Sequence, residues 1–242
     1  MNAKTLILLL LSMPLLAFGQ SNSSIDLITG VEYSYRTLST SSSDAIINGI
    51  MERRDDEETG KLNWRAGFNY NRRISSRLFL KTGARLASVG YKGEKKTGIR
   101  WGSEHDGNGG WSGPDPNLPH EIQLIDDYWF IEIPIAGRFE FDGKKLAPFI
   151  EAGGAPSIYM GTRTKTVTDI GADVNFEIGK ALGFNQWHLV GYLSFGANYD
   201  IGQRLQLFGQ PVFRYHFTKL ADAPIAEYLY NVGMEVGVRR RM

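Results

Sequence analysis

The chain contains no cysteine. That excludes disulfides, thiolate metal sites and an acylated N-terminal cysteine. It also lacks a charge excess. Lysine and arginine number 27 against 26 aspartates and glutamates, and Lys4 is the only charged residue before Gln20. Without that leader the formal charge is zero, so no basic surplus is present to hold nucleic acid. After the leader, no apolar run is long enough for a spanning helix. There is no HExxH and no glycine-rich phosphate cradle between a strand and a helix. These absences predict no cofactor, no metal and no nucleic-acid partner.

What is present begins with a secretion signal. Lys4 supplies a positive start, Leu6 to Leu16 form a short apolar core, and Ala17-Phe18-Gly19 has small residues at both ends of a triplet. The expected division is a signal peptide over 1–19 and one domain over 20–242.

In that domain, Lys61 to Arg72 read K-L-N-W-R-A-G-F-N-Y-N-R. Leu62, Trp64, Ala66, Phe68 and Tyr70 alternate with Asn63, Arg65, Asn69 and Asn71. Successive strand side chains point to opposite faces, so this strand has one oily face and one ionic face. Seven more segments alternate similarly: 25–36, 77–91, 128–141, 146–163, 187–199, 204–217 and 228–242. Short turns at Arg73–Ser76, Asp142–Lys145 and Asp200–Gln203 alternate with long segments at 37–60, 92–127, 164–186 and 218–227. The predicted fold is all-β: an eight-stranded antiparallel up-and-down transmembrane β-barrel with short periplasmic turns and long extracellular loops. Lipid offers no partner for unpaired backbone groups, so a chain without spanning helices crosses a membrane only as a closed barrel. Tyr33, Trp64, Trp129, Trp187, Tyr199 and Tyr230 fall near strand ends, where an interfacial aromatic girdle would sit.

The pattern turns Glu32, Arg36, Arg65, Lys81, Arg85, Glu132, Arg138, Glu140, Glu151, Arg214, Glu235 and Arg239 inward. Both signs are present, and buried charges must be paired. The expectation is a salt-bridged plug; a narrow polar pore is the alternative. In the 92–127 segment, Trp101, His105, Asp106 and Trp111 are candidates for binding a partner protein or surface glycan. They serve equally as a lid over the barrel mouth. Asp106-Gly107-Asn108-Gly109 is a fragment of a calcium loop without its later acidic ligands. The run Arg53 to Glu58 reads as a solvated, mobile tip. An enzyme acting on lipid or peptide at the rim would need a histidine beside a nucleophile or acid. His105 with Asp106, His120 with Glu121, and His216 with Ser194 are the available pairs, and no nucleophile motif surrounds any serine.

Three stretches carry a family likeness. Tyr128-Trp129-Phe130-Ile131-Glu132-Ile133-Pro134-Ile135, Gly83 to Lys92 (GARLASVGYK) and Gly233 to Met242 (GMEVGVRRRM) resemble motifs of the PorT-like outer-membrane β-barrel family of Gram-negative bacteria. The chain ends in Met242, where that family usually ends in an aromatic. The resemblance implies a cleaved signal, outer-membrane residence, contact with the bilayer and with the barrel-insertion machinery, and no assigned activity. The expected function is a non-catalytic outer-membrane barrel that presents extracellular loops to an envelope protein or surface glycan. A narrow channel for ions or small solutes is the second reading, and the rim enzyme the third.

Overall fold

The computed structural model describes residues 23–99, 118–178 and 183–242; the expected leader lies outside them. The elements are β1 (Ser23–Thr40), α1 (Ala45–Glu57), β2 (Glu58–Arg73), β3 (Leu78–Gly93), β4 (Ile122–Glu132), β5 (Ile135–Glu140), β6 (Leu146–Thr168), β7 (Gly171–Ile178), β8 (Trp187–Asp200), β9 (Leu205–His216) and β10 (Ile225–Arg241). None of the described helices is long and apolar enough to cross a membrane.

Every pairing is antiparallel. β1 pairs with β2, β2 with β3, β3 with β4 and β5, and these two with β6. β6 then pairs with β8, β8 with β9, β9 with β10, and β10 returns to β1. β4 and β5 occupy one place in this circuit, so a ring of hydrogen bonds runs through eight strands. A sheet that returns to its first strand leaves no row of unpaired N–H and C=O groups at an edge.

Register places Ser23 opposite Arg72 and Ser24 opposite Arg241. Both chain ends of the ring therefore lie with the turns at 74–77, 141–145 and 201–204. The connections at 41–57, 94–121, 169–186 and 217–224 gather at the other end.

Four details depart from the sequence reading. The fourth strand is not continuous: Pro134 has no N–H to donate. Pairing with β3 goes from Arg85–Glu132 to Thr82–Ile135, passing over Ile133 and Pro134. The fifth strand does not stop at Arg163 but runs to Thr168 and folds back as β7. Residues 122–127, expected in a long loop, are strand. The Arg53–Glu58 run is solvated only in part, at Arg53, Asp55 and Asp56. Its first five residues close α1, and Arg54 and Glu58 are half-buried at the ring mouth.

α1 buries none of its residues completely. Its start is fixed locally, by the Asp44 side chain accepting the Ile46 N–H at 2.8 Å. Its end is closed by the Glu58 N–H donating to the Arg54 carbonyl, and Gly60, just beyond it in β2, leaves room for the Tyr33 ring, which an added Cβ would meet at 2.3 Å. Asp44→Ala is expected to remove about 1 kcal/mol of local helix stability. Hydrogen exchange should show faster amide loss across Ala45–Glu57 with the strands unchanged.

Candidate functional site

Alternation divides the ring into two unlike faces. On the outer face Leu27 is 69% exposed, Leu62 70% and Phe195 65%. On the inner face Arg65, Arg138, Arg214 and Lys81 are among the largest side chains shielded to below 2% exposure. An ordinary soluble core has the reverse arrangement. The candidate site is therefore the interior.

Eleven of the twelve charged residues assigned inward are buried, and Glu140 is half-buried. At the short-turn end, Arg239 holds Asp26 through two nitrogens at 2.8 and 3.2 Å and Glu140 at 2.7 Å. Above this, Lys81 and Arg138 converge on Glu151 at 2.5 and 2.7 Å. The Arg138 guanidinium also lies 3.9 Å from the centre of the Phe149 ring, a cation–π contact.

The next tier crosses the interior. Arg65 binds Glu132 through Nε and Nη2, both at 3.0 Å, and pairs with Glu32 through Nη1. Glu32 also accepts from Arg214 and from Asn231 at 3.1 Å. Arg214 reaches Glu235 at 2.6 Å, which also accepts from Gln210 at 2.6 Å and from Arg85 at 3.3 Å. Arg65, Glu32, Arg214, Glu235 and Arg85 thus form one connected chain of pairs, joined by Gln210 to the Arg138–Glu151 tier. Forked guanidinium–carboxylate geometry is the strong form of such pairing.

Above the charges the interior turns apolar. Ala87, Val89, Phe130, Tyr159, Tyr128 and Leu229 form a buried cluster. Over it lies a second polar layer built partly from α1. Arg36 binds Asp55 at 2.8 Å and Glu58 at 2.7 Å; Arg54 binds Glu58 at 2.7 Å, Glu227 at 3.0 Å and the Tyr91 hydroxyl at 2.9 Å. Arg36 therefore belongs to the mouth and not to the central tiers.

Several of these residues escaped the sequence reading. Asp26 had a signal, since it alternates with the outward Ile25 and Leu27. Phe130 had the same signal, since it alternates with the outward Trp129 and Ile131 and shares the face of Glu132, but its apolar side chain gave no contrast. Glu227 lies just before the expected start of the last strand. A cavity of about 240 Å³ at the short-turn end, lined by Arg73, Phe79, Glu140, Gln206 and Arg239 among others, was likewise not foreseen.

The loop candidates Trp101, His105, Asp106 and Trp111 lie outside the described residues. His120 and Glu121 do not make a catalytic pair. Glu121 binds Lys95, and the His120 ring is 3.2 Å from the Ile99 carbonyl. Their backbone N–H groups donate to the Asp169 carboxylate at 3.1 and 3.3 Å, tying the 94–121 connection to the β6–β7 turn. Desolvation opposes the Asp169 charge, but these N–H donors outweigh it and hold its pKa below the ordinary aspartate value. His216 stands opposite Val190 and Ser194 opposite Val212. Neither His216 ring nitrogen nor the Ser194 hydroxyl has a hydrogen-bond partner. Among the described residues, no group of acids and histidines is arranged to hold a metal.

No family model and no curated protein matches the chain. Solved structures of similar outline include Neisserial surface protein A, at TM-score 0.43 and 12% identity, covering 91% of this chain and 97% of that one. The outer membrane protease OmpT from Escherichia coli aligns at TM-score 0.41 and 8% identity, over 93% and 98%. Ail, the attachment invasion locus protein of Yersinia pestis, aligns at TM-score 0.35 and 9% identity, over 90% and 99%.

Two predictions follow from the geometry. Glu32→Gln removes one of two carboxylates from both Arg65 and Arg214, which keep Glu132 and Glu235, whereas Glu132→Gln removes one from Arg65 alone. Denaturant unfolding of the folded chain should place Glu32→Gln about 1–3 kcal/mol below the parent, with Glu132→Gln less affected. The Asp169 contact is intact above the ordinary carboxylate range and is lost as pH falls through its lowered folded value. Protection factors of the His120 and Glu121 amides, each referred to the intrinsic exchange rate at the same pH, should fall over that acid interval and hold above it.

Proposed function

We propose that this protein is a non-catalytic outer-membrane β-barrel. Its interior is sealed by paired charges, and its long-connection end meets a partner protein or surface glycan. The observation that carries the reading is the inversion of faces. Exposed apolar side chains run right round the ring, while guanidinium and carboxylate groups fill its inside. Soluble monomers rarely expose apolar patches beyond a few hundred Å². A hydrocarbon surround makes the same outer face favourable.

The sealed interior favours the plug over the channel. Side chains of the Arg65 and Arg138 tiers are shielded almost completely from solvent, and the apolar cluster and the Arg54 layer lie in series above them. An eight-stranded barrel is only wide enough for its own side chains. The stretches that resemble the PorT-like family fall in β3, across β4–β5 and in β10, within the ring itself. That placement supports membership, a cleaved leader and delivery through the barrel-insertion machinery.

Purified mature chain, folded in detergent and added to planar bilayers, should give no unitary conductance steps. Reproducible steps would replace the plug with the channel. Pull-downs from solubilised envelopes, with residues 100–117 present or excised, test the interaction role. A partner that depends on the loop supports it, and identical captures by both forms contradict it.

A further inference from the structure

The ring's two ends differ in how their cations are used. At the long-connection end, Arg36 and Arg54 are paired with carboxylates, and Arg53, which has no ion pair among the described residues, stands beside the exposed acids Glu52, Asp55 and Asp56. At the short-turn end, Arg72, Arg73, Lys144, Lys145, Arg204 and Arg240 are exposed and have no ion-pair partner among the described residues. Arg239 and Arg241, beside them, are paired with Asp26 and Asp200.

Two of the unpaired arginines continue the outer face. Arg72 follows Phe68 and Tyr70 in the outward alternation of β2, and Arg240 follows Val236 and Val238 in that of β10. Register sets Arg240 between Ile25 of β1 and Leu205 of β9, and sets Arg72 against Leu80 of β3. Ile25, Leu205 and Leu80 are all exposed. Each guanidinium thus stands where the apolar outer band ends. One strand, β1, separates them, a lateral distance of about 10 Å.

We infer that Arg72 and Arg240 form a site for the phosphate group of an anionic glycerophospholipid at the short-turn rim. The inference rests on the membrane-barrel reading above. A soluble phosphate would need only the charge. Here the cation borders an apolar surface, and phosphate and hydrocarbon adjoin in this way in a phospholipid. The arginine stem lies along the apolar band while its head reaches the interface. The planar fork donates two hydrogen bonds to phosphate oxygens. The chain without its expected leader is neutral overall, so no general cationic field supplies the attraction.

The test is native mass spectrometry of the mature chain in micelles, with phosphatidylglycerol or phosphatidylcholine added. The parent and Lys165→Gln, a change at the opposite end, should retain phosphatidylglycerol several-fold over phosphatidylcholine. The double variant Arg72→Gln with Arg240→Gln should retain the two lipids equally. Equal retention by the parent overturns the site, as does preference surviving in the double variant or lost with Lys165→Gln. Heat-modifiable gel mobility is recorded for every preparation. A parent chain that shows no folded form in micelles sinks the barrel reading and the site with it, whereas a folded parent without lipid preference sinks the site alone.

Discussion

Charge removed from water must be neutralised where it sits, and in this chain that requirement falls on side chains contributed by strands far apart in sequence. Arg65 of β2 is held by Glu32 of β1 and Glu132 of β4. Arg214 of β9 joins Glu32 to Glu235 of β10. The Glu32–Arg214 contact crosses the β1–β10 seam and forms only once the ring has come round, whereas Arg65–Glu32 and Arg214–Glu235 lie between neighbouring strands. The interior network and the closure of the sheet are therefore mutually dependent. Backbone pairing brings the charges together, and the charges penalise any register in which one is left alone. Shifting one strand by a single residue would move its whole ionic set to the outer face.

The same constraint divides labour along the axis. The lower tiers are ionic, the middle is closed by Phe130 and its aromatic neighbours, and the mouth is latched by Arg54 of α1 to Glu58 and Glu227. In the proposed plug, such stacking opposes passage in three chemically different ways. It also frees the long connections from any part in sealing the lower interior. A proposed role in meeting partners at that end is compatible with this arrangement, because variation there leaves the Arg65 and Arg138 tiers untouched.

Much of this was legible in the sequence wherever the two faces of a strand differ in kind. Lys61 to Arg72 could be assigned by alternation alone, and with it the inward direction of Arg65. What alternation cannot supply is the partner. Glu132 lies 67 residues away from Arg65, and only the strand order makes them neighbours. Alternation gives direction without contrast where both faces are apolar, as at Tyr128 to Ile131. α1 was missed because it buries no residue completely and so shows no helical stripe; its one local signal is the Asp44 cap. The break at Pro134 had a visible cause, yet a run of alternating isoleucines on either side masks it.

The central claim is that successive residues of one strand meet lipid and a sealed ionic interior in turn. The chain has no native cysteine, so single nitroxide labels can be placed without background. The decisive measurement is spin-label accessibility at Phe68→Cys and Asn69→Cys in lipid vesicles, using oxygen as the apolar relaxant and a nickel chelate as the polar one. The account predicts strong relaxation by oxygen at position 68, and at position 69 an immobilised label shielded from both. Relaxation by the nickel chelate at position 68, or by oxygen at position 69, would contradict it.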